Sequence, residues 1–405
     1  MAGRESLEAM EREVRERALR MARVALECRL QGHEGYEGSQ RPCACGGEQK
    51  FHSVRTRCAE TLVGTVRWRR AYYWCGQCGE SAIPMDRRLQ VERGQFSGGM
   101  RKVIAYAGAQ LPFARAARTI YESSGQQLQV GASTVRRTSE QVGAEIMVRW
   151  EAERLSAEAG KCQEAAPVPA RAVLEADGTM IPTTEGWKEA KAATVESWDR
   201  EGKRLTKVVF ARVDNPERFG NRLWLEAKKQ GTDGAGAVAV LGDGASWIWN
   251  QFELVCPRAV QILDFFHAKT HLYDLAYAHY GPNAPKATAW VHQREDELLS
   301  AHPERARRAI SRLRPQTPEA KGKREENLRY FEKNQSRMHY RTYQQNQWPI
   351  GSGGVEGAAR TFVGARMKVG GGKWVKDNAQ FVLDLRSVIE SNRWDSFWSQ
   401  RFSPN

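Results

Sequence analysis

Between residues 172 and 267 the apolar pattern changes element by element, and this succession restricts the fold more than any other feature of the chain. The stretch AVLEADG, residues 172–178, reads as a buried strand ending at Asp177. KAATVESWD and LTKVVFARVD form a hairpin around DREGKR. PERFGNRLWLEAKKQ is a helix opened by Pro216. AVAVLGDGA is an apolar strand ending at Asp243, SWIWNQFELV is a helix, and AVQILDFFH is a fifth strand ending near Asp264.

Three strands in a meander, then helix, strand, helix and strand, is the order of a ribonuclease H-like fold, a mixed α/β sheet flanked by helices. In that fold the first and fourth strands are neighbours, so Asp177 and Asp243 are expected close together. Either aspartate alone is as well explained by a turn, since each precedes a glycine and Asp-Gly is a common turn pair. Two of them at the ends of neighbouring strands suggest more. A third carboxylate on a later helix would complete a two-metal site. Magnesium is hard and prefers oxygen ligands, and two such ions about 4 Å apart clamp both oxygens of a phosphodiester displacement.

IGSGGVEGAAR, residues 350–360, offers that third carboxylate. Val355, Ala359, Phe362 and Val363 fall at helical spacing, so Glu356 sits in a first turn with Ser352 as the expected cap. A capped helix start with an acid favoured by the macrodipole is the plainer account. Glycine is costly inside a helix, and three before Glu356 suggest a close approach. The expectation is that the turn admits a DNA phosphate and that Glu356 binds metal.

A formal net charge of +14 and a sequence pI near 9.5 point to a polyanion partner, most simply nucleic acid. The 405 residues, 41% hydrophobic, suit a globular chain of several domains. With no apolar run of spanning length and a charged first segment, neither secretion nor membrane insertion is expected, and the chain reads as cytoplasmic.

Cys43 and Cys45 form one close pair and Cys75 and Cys78 another, while Cys28, Cys58, Cys162 and Cys256 are scattered. Two pairs bridged by a β-hairpin with a turn at Gly64 read as a zinc ribbon holding one structural zinc, against four unrelated thiols. The first knuckle, C-A-C-G, is a residue shorter than C-x-x-C. Arg55, Arg57, Arg67, Arg69 and Arg70 lie on the hairpin among Trp68, Tyr72 and Tyr73, a mixture that suits a DNA backbone.

SLEAMEREVRERALRMARVALECRL, ahead of the ribbon, is a helix that either pairs with a second copy or packs on the core. Residues 96–150 read as three helices. The last, capped by Ser133, would present Ser133, Thr134, Arg136 and Arg137 to a major groove as in a helix-turn-helix, or be a plain bundle with a solvated basic face. Beyond Glu356, residues Arg360, Arg366, Lys368, Lys373 and Lys376 form a basic track expected on DNA. Residues 294–341 hold thirteen Lys or Arg against eight Asp or Glu and read as helices, either on DNA or solvated.

ADGT, LGDGASWIW, ILDFFHA and GSGGVEGAARTFVGARMKVGGGKW, with RAYYWCGQCG and NRWDSFW, together resemble the DDE transposases of bacterial insertion sequences. The set is most similar to the ISKra-type family of the Mutator-like superfamily. The resemblance implies that Asp177, Asp243 and Glu356 are the catalytic triad. It also implies two magnesium ions and terminal inverted repeats as the double-stranded DNA substrate. The superfamily's D-x-x-H motif falls on Asp264 and His267. His267, at the mouth of the site, is expected to act on the scissile phosphate or a flanking base or to hold Asp264, or else to be a structural residue at a helix start.

The expected organisation is an N-terminal helix (1–32), zinc ribbon (38–93), helix-turn-helix domain (95–160), ribonuclease H-like catalytic domain (168–267 and 346–395) and helical insertion (268–345). The expected activity is magnesium-dependent strand cleavage and strand transfer by a homodimer or larger assembly on DNA, in a bacterial nucleoid. The alternatives are a non-catalytic DNA-binding regulator derived from a transposase, and another nuclease of the same fold.

Overall fold

The computed structural model describes residues 6–32, 35–89, 91, 94–161 and 168–401. Cys162 and most of the linker expected at 161–170 lie outside the described residues. The chain divides into two compact units, Met1–Val142 with Trp394–Asn405, and Gly143–Arg393. The division at Val142 falls inside the span expected for the helix-turn-helix domain, and within NRWDSFW the residues from Trp394 on belong to the first unit.

In the first unit, α1 (Leu7–Gln31) precedes a four-stranded antiparallel sheet of β1 (Gln40–Pro42), β2 (Glu48–Thr61), β3 (Gly64–Cys75) and β4 (Ser81–Ala82), in that order. The β2–β3 hairpin turns at Gly64, whose φ of 101° is a left-handed conformation that glycine adopts freely. Along β3, Val66, Trp68, Ala71, Tyr73 and Cys75 are buried, the alternation slipping by one between Trp68 and Ala71; a separate register shift in β2 lies between Phe51 and Ser53, opposite Tyr73 and Tyr72. Then follow α2 (Pro84–Arg88), α3 (Gly98–Gln110), α4 (Phe113–Ser123) and α5 (Ala132–Glu158), of which only the part up to Val142 belongs to this unit. Met100, Ile104, Ala116, Ile120 and Val135 form a small core under α3, α4 and the start of α5. The carbonyl of Gly131 accepts from the Thr134 and Val135 N–H groups, so Ser133 lies inside the first turn of α5 instead of capping it.

The second unit carries β5 (Arg171–Thr183), β6 (Gly186–Trp198), β7 (Arg204–Arg212), α6 (Pro216–Lys229), β8 (Ala237–Gly242), α7 (Ser246–Val255), β9 (Val260–Leu263) and α8 (Phe265–Tyr280). Its sheet order is β7-β6-β5-β8-β9, antiparallel through β7, β6 and β5 and parallel from β5 to β8 to β9. One expectation changes: β5 does not stop at Asp177 but runs on to Thr183, paired with β6 as far as Gly186. Cross-strand pairing with β6 continues after β8 has ended, so the second half of β5 stands clear of its parallel neighbour.

Helices α9 (Pro285–Leu299), α10 (Glu304–Arg312), α11 (Pro318–Lys333) and α12 (Tyr340–Gln345) fill the expected insertion. Val291, Leu298, Ile310 and Phe331 belong to the same apolar core as Leu174, Val240 and Leu272. These helices are therefore part of the α/β core and not an appendage. The unit closes with α13 (Gly353–Gly357), a π-helical stretch (Ala358–Gly364), α14 (Ala365–Met367) and α15 (Lys376–Glu390); α16 (Trp394–Gln400) belongs to the first unit, where Asp395 pairs with Lys102 at 2.5 Å. No helix among the described residues is long and apolar enough to cross a membrane.

Candidate metal centres

Strand register brings three aspartates into one row. Ala176 of β5 lies opposite Gly242 of β8, and Gly242 opposite Leu263 of β9. One residue on from this rung come Asp177, Asp243 and Asp264. The N–H of Asp264 still donates to the Gly242 carbonyl at 2.9 Å, so the ladder holds to that point. Burial pushes the Asp177 carboxyl up to about 6, and the charges of Asp243 and Asp264 add to the rise while His267 opposes it. Such a set of hard oxygen donors, crowded by like charge, fits a divalent cation.

The three aspartates differ in their commitments. Asp177 Oδ1 accepts from the Gly178 N–H and Asp243 Oδ1 from the Ala245 N–H, at 2.7 and 2.8 Å. Asp264, 5% exposed, caps α8 by accepting from the His267 N–H at 2.9 Å. Its second oxygen accepts from the Ser352 N–H and hydroxyl. Asp264 therefore ties α8 to the turn before α13 and has little capacity left for a cation. The Ser352 hydroxyl, expected to cap Glu356's helix, points instead at Asp264, although the backbone N–H of Glu356 does bond the Ser352 carbonyl at 2.8 Å.

The capping role falls to Glu175, which the sequence reading missed. It lies two residues before Asp177, on the same face of β5. Glu175 accepts from the Val355 N–H at 2.6 Å and from the Thr194 hydroxyl at 3.4 Å. Burial pushes its carboxyl up to about 7. Its sequence signal was a lone charge in the apolar strand AVLEAD. This contact explains Gly354. A Cβ on Gly354 would stand 2.5 Å from Glu175 Oε2, and one on Gly351 2.5 Å from the Phe266 ring. A Cβ on Gly353 would meet nothing within 4 Å. Two glycines thus make room for the chain's own side chains, which replaces the expectation that they admit a phosphate.

Gly354→Ala should lower stability by about 1–3 kcal/mol through overpacking on Glu175. Gly353→Ala should raise it by up to about 1 kcal/mol, the ordinary helix preference of alanine. Thermal melts of the two variants check this; equal melting temperatures would remove Glu175 as the reason for Gly354.

Glu356 is exposed and lines a cleft of about 400 Å³ with Thr179, Ala359, Arg360, Gly364 and Lys368. Thr179 is two residues along β5 from Asp177, so the cleft opens beside the aspartate row. Val355, Ala359, Phe362 and Val363 are buried, as their spacing suggested, and hold this segment down. On the other side, Tyr330 of α11 donates to the Asp243 carbonyl at 2.9 Å and stacks on His271 at 3.9 Å. Gly244, with φ of 104°, lies where a Cβ would meet the Tyr330 ring at 2.8 Å. The glycine in DGA is thus set by Tyr330, whose hydroxyl bonds the adjacent Asp243 carbonyl from 87 positions away in sequence. His267 is half-buried, 5.2 Å from His271 and 6.3 Å from Tyr330 by ring centres.

In the first unit, the sulfurs of Cys43, Cys45, Cys75 and Cys78 all lie within 4.8 Å of one another. Cys43 and Cys78 are 3.6 Å apart and Cys45 and Cys75 3.8 Å. Tetrahedral zinc at about 2.3 Å from each thiolate requires edges of about 3.8 Å, so the four residues fit that ion. The short first knuckle closes as the second does. Gly46, at φ 85°, donates to the Cys43 carbonyl, and Gly79, at φ 74°, to the Cys75 carbonyl. The N–H groups of Cys78 and Gln77 hold Cys75 down to about 7. The Glu80 N–H pulls Cys78 down, but the neighbouring thiols and burial outweigh it and drive Cys78 to about 12.

The basic residues separate by exposure. Arg67, Arg69, Arg136, Arg137, Lys368 and Lys373 are exposed. Arg70 is drawn inward to Asp86, and Arg57 reaches the same carboxylate at 3.5 Å. Arg366 is 3% exposed, stacks 4.9 Å from the Trp374 ring, and is lowered to about 10 by burial. Lys376 pairs with Asp214 at 3.8 Å. Arg70 and Arg366 are therefore packing residues, not DNA contacts, because each guanidinium is taken up inside its own unit.

Residues 46–346 match the family model described as "Uncharacterised protein family (UPF0236)". The matched span holds Asp177, Asp243, Asp264 and His267 and stops short of Glu356. The search of curated proteins gave no match.

Proposed function

We propose that this chain, which belongs to the uncharacterised family UPF0236, is a DDE-type transposase that cuts DNA at the ends of an insertion sequence and joins the freed 3′ end to target DNA. The observation that carries the reading is the row of Asp177, Asp243 and Asp264 at adjacent parallel strands beside the Glu356 cleft. The sheet order β7-β6-β5-β8-β9 supports a ribonuclease H-like catalytic domain.

Two magnesium ions, when bound, would stabilise the attacking and leaving oxygens of the phosphodiester. Asp177 and Asp243 would hold them from the strands and Glu356 from α13. Asp264 positions α8 and the Ser352 turn. Arg360 and Lys368, on the same cleft as Glu356, offer positive charge to the phosphates on either side of the cut. The four cysteines would hold one structural zinc, leaving no open coordination position.

The test is incubation of the purified protein with a pool of candidate inverted-repeat ends and magnesium, followed by sequencing of cut and joined products. Strand cuts at a defined end are expected. Specific binding of ends with no cutting in magnesium would favour a non-catalytic regulator.

His267→Ala should slow cleavage by about 10²-fold and leave end binding nearly unchanged. Cutting and joining at the wild-type rate would make the residue structural. Replacing Lys368 and Lys373 together by alanine should reduce the salt dependence of DNA binding by about two phosphate contacts. An unchanged slope would place both lysines away from DNA.

A further inference from the structure

We propose that α1 pairs with α1 of a second copy of this chain as an antiparallel two-helix coiled coil. The inference rests on the first unit alone and is independent of the reading of the aspartates.

Helix α1 runs for 25 residues, is capped by Ser6, and has no buried residue. One face is already fixed. Leu26 and Leu30 pack against the cluster of Ala59, Val66, Trp68 and Met85, Glu27 accepts from the Arg67 N–H at 2.8 Å, and Arg15 donates to the Ser123 carbonyl at 3.3 Å. These contacts turn a second stripe outward. Leu7, Met10, Val14, Met21 and Val24 are all exposed, from 44% for Met10 to 81% for Leu7.

Their spacing is 3, 4, 7 and 3 residues, a heptad seam with Arg17 in the one skipped place. A globular core asks for a wider apolar face, whereas a stripe with a mean spacing of about 3.5 residues is the seam of a coiled coil. A second copy is the occupant because the seam complements itself. It is symmetric about the midpoint between Val14 and Arg17. A two-fold axis there sets Leu7 against Val24, Met10 against Met21 and Val14 against Arg17 of the partner helix.

Charge selects the antiparallel arrangement. Parallel pairing would press Arg17 against its own copy inside the seam. It would also leave the flanking Glu13 and Arg20 opposite Ala18 and Ala25. Antiparallel pairing separates the two Arg17 side chains and brings Glu13 opposite Arg20 twice along one edge of the seam.

Sedimentation equilibrium of the full chain, free of DNA, tests the pairing. The wild type should sediment as twice its 45.7 kDa. Val14→Glu with Met21→Glu should raise the dimer dissociation constant by at least about 10²-fold, with circular dichroism unchanged. Arg17→Leu should tighten the dimer, a gain that misfolding cannot mimic. On oxidation, Met10→Cys with Met21→Cys should cross-link into a covalent dimer and Val14→Cys alone should not. A monomeric wild type, a double glutamate variant as dimeric as the wild type, or efficient cross-linking through position 14 alone would overturn the proposal.

Discussion

Asp177→Asn and Asp243→Asn should each reduce strand cleavage by at least about 10³-fold, the loss of several kcal/mol of charge stabilisation in the transition state. DNA binding should survive in both. The substitution keeps shape and removes one charge, and the carbonyl oxygen of asparagine can still accept from Gly178 or Ala245. Neither variant should melt earlier than the wild type, because the row loses a repelling charge. Asp264→Asn should behave differently. Its amide would meet the Ser352 N–H, donor against donor, where the carboxylate now accepts. A loss of about 1–3 kcal/mol of stability is expected there. Cleavage assays, gel shifts and thermal melts on the three variants separate the roles. Full cleavage by Asp177→Asn would remove it from the site, and an unaltered melt for Asp264→Asn would remove its positioning role.

Cys75→Ser should empty the four-thiol site and unfold the sheet of β1 to β4. Structural zinc sites contribute about 10–16 kcal/mol of apparent binding energy that is also folding energy. That is as large as the whole stability of a typical domain, about 5–15 kcal/mol. Metal analysis should fall from one zinc per chain to almost none, with end binding weakened in parallel. Cys28→Ser and Cys58→Ser, each at an exposed cysteine outside the cluster, should keep the metal. A wild type purified without zinc would defeat the assignment, and so would a Cys75→Ser variant that retains it.

The capping of α13 shows why part of the site was hidden. Sequence periodicity located the helix turn, its buried face and Glu356, because helical spacing is a local property of the chain. The partner of its N-terminus was not local. Ser352, the nearest candidate, is taken by Asp264, and Glu175 reaches Val355 from 180 positions away. The glycines were legible as a demand for space, but which atoms needed that space depended on the packing of β5 beneath them. Arg366 and Arg70 failed as DNA contacts for the same reason. Charge can be read from sequence, while exposure depends on neighbours such as Trp374 and Asp86.

By itself the sequence determined the succession of strands and helices, the ends of β8 and β9 at Asp243 and Asp264, and the four cysteines of one cluster. Each of these rests on apolar period, turn chemistry or ligand spacing, which are set within a few residues. Only the tertiary structure decided that Asp264 is spent on capping α8 and the Ser352 turn, and that Tyr330 closes over Asp243 from the inserted helices. It also decided that α1 keeps an apolar seam turned to solvent while its other face is anchored on the hairpin. Each is a matter of which side chain reaches a shared point first, and that competition is settled by register and packing between segments far apart in the chain.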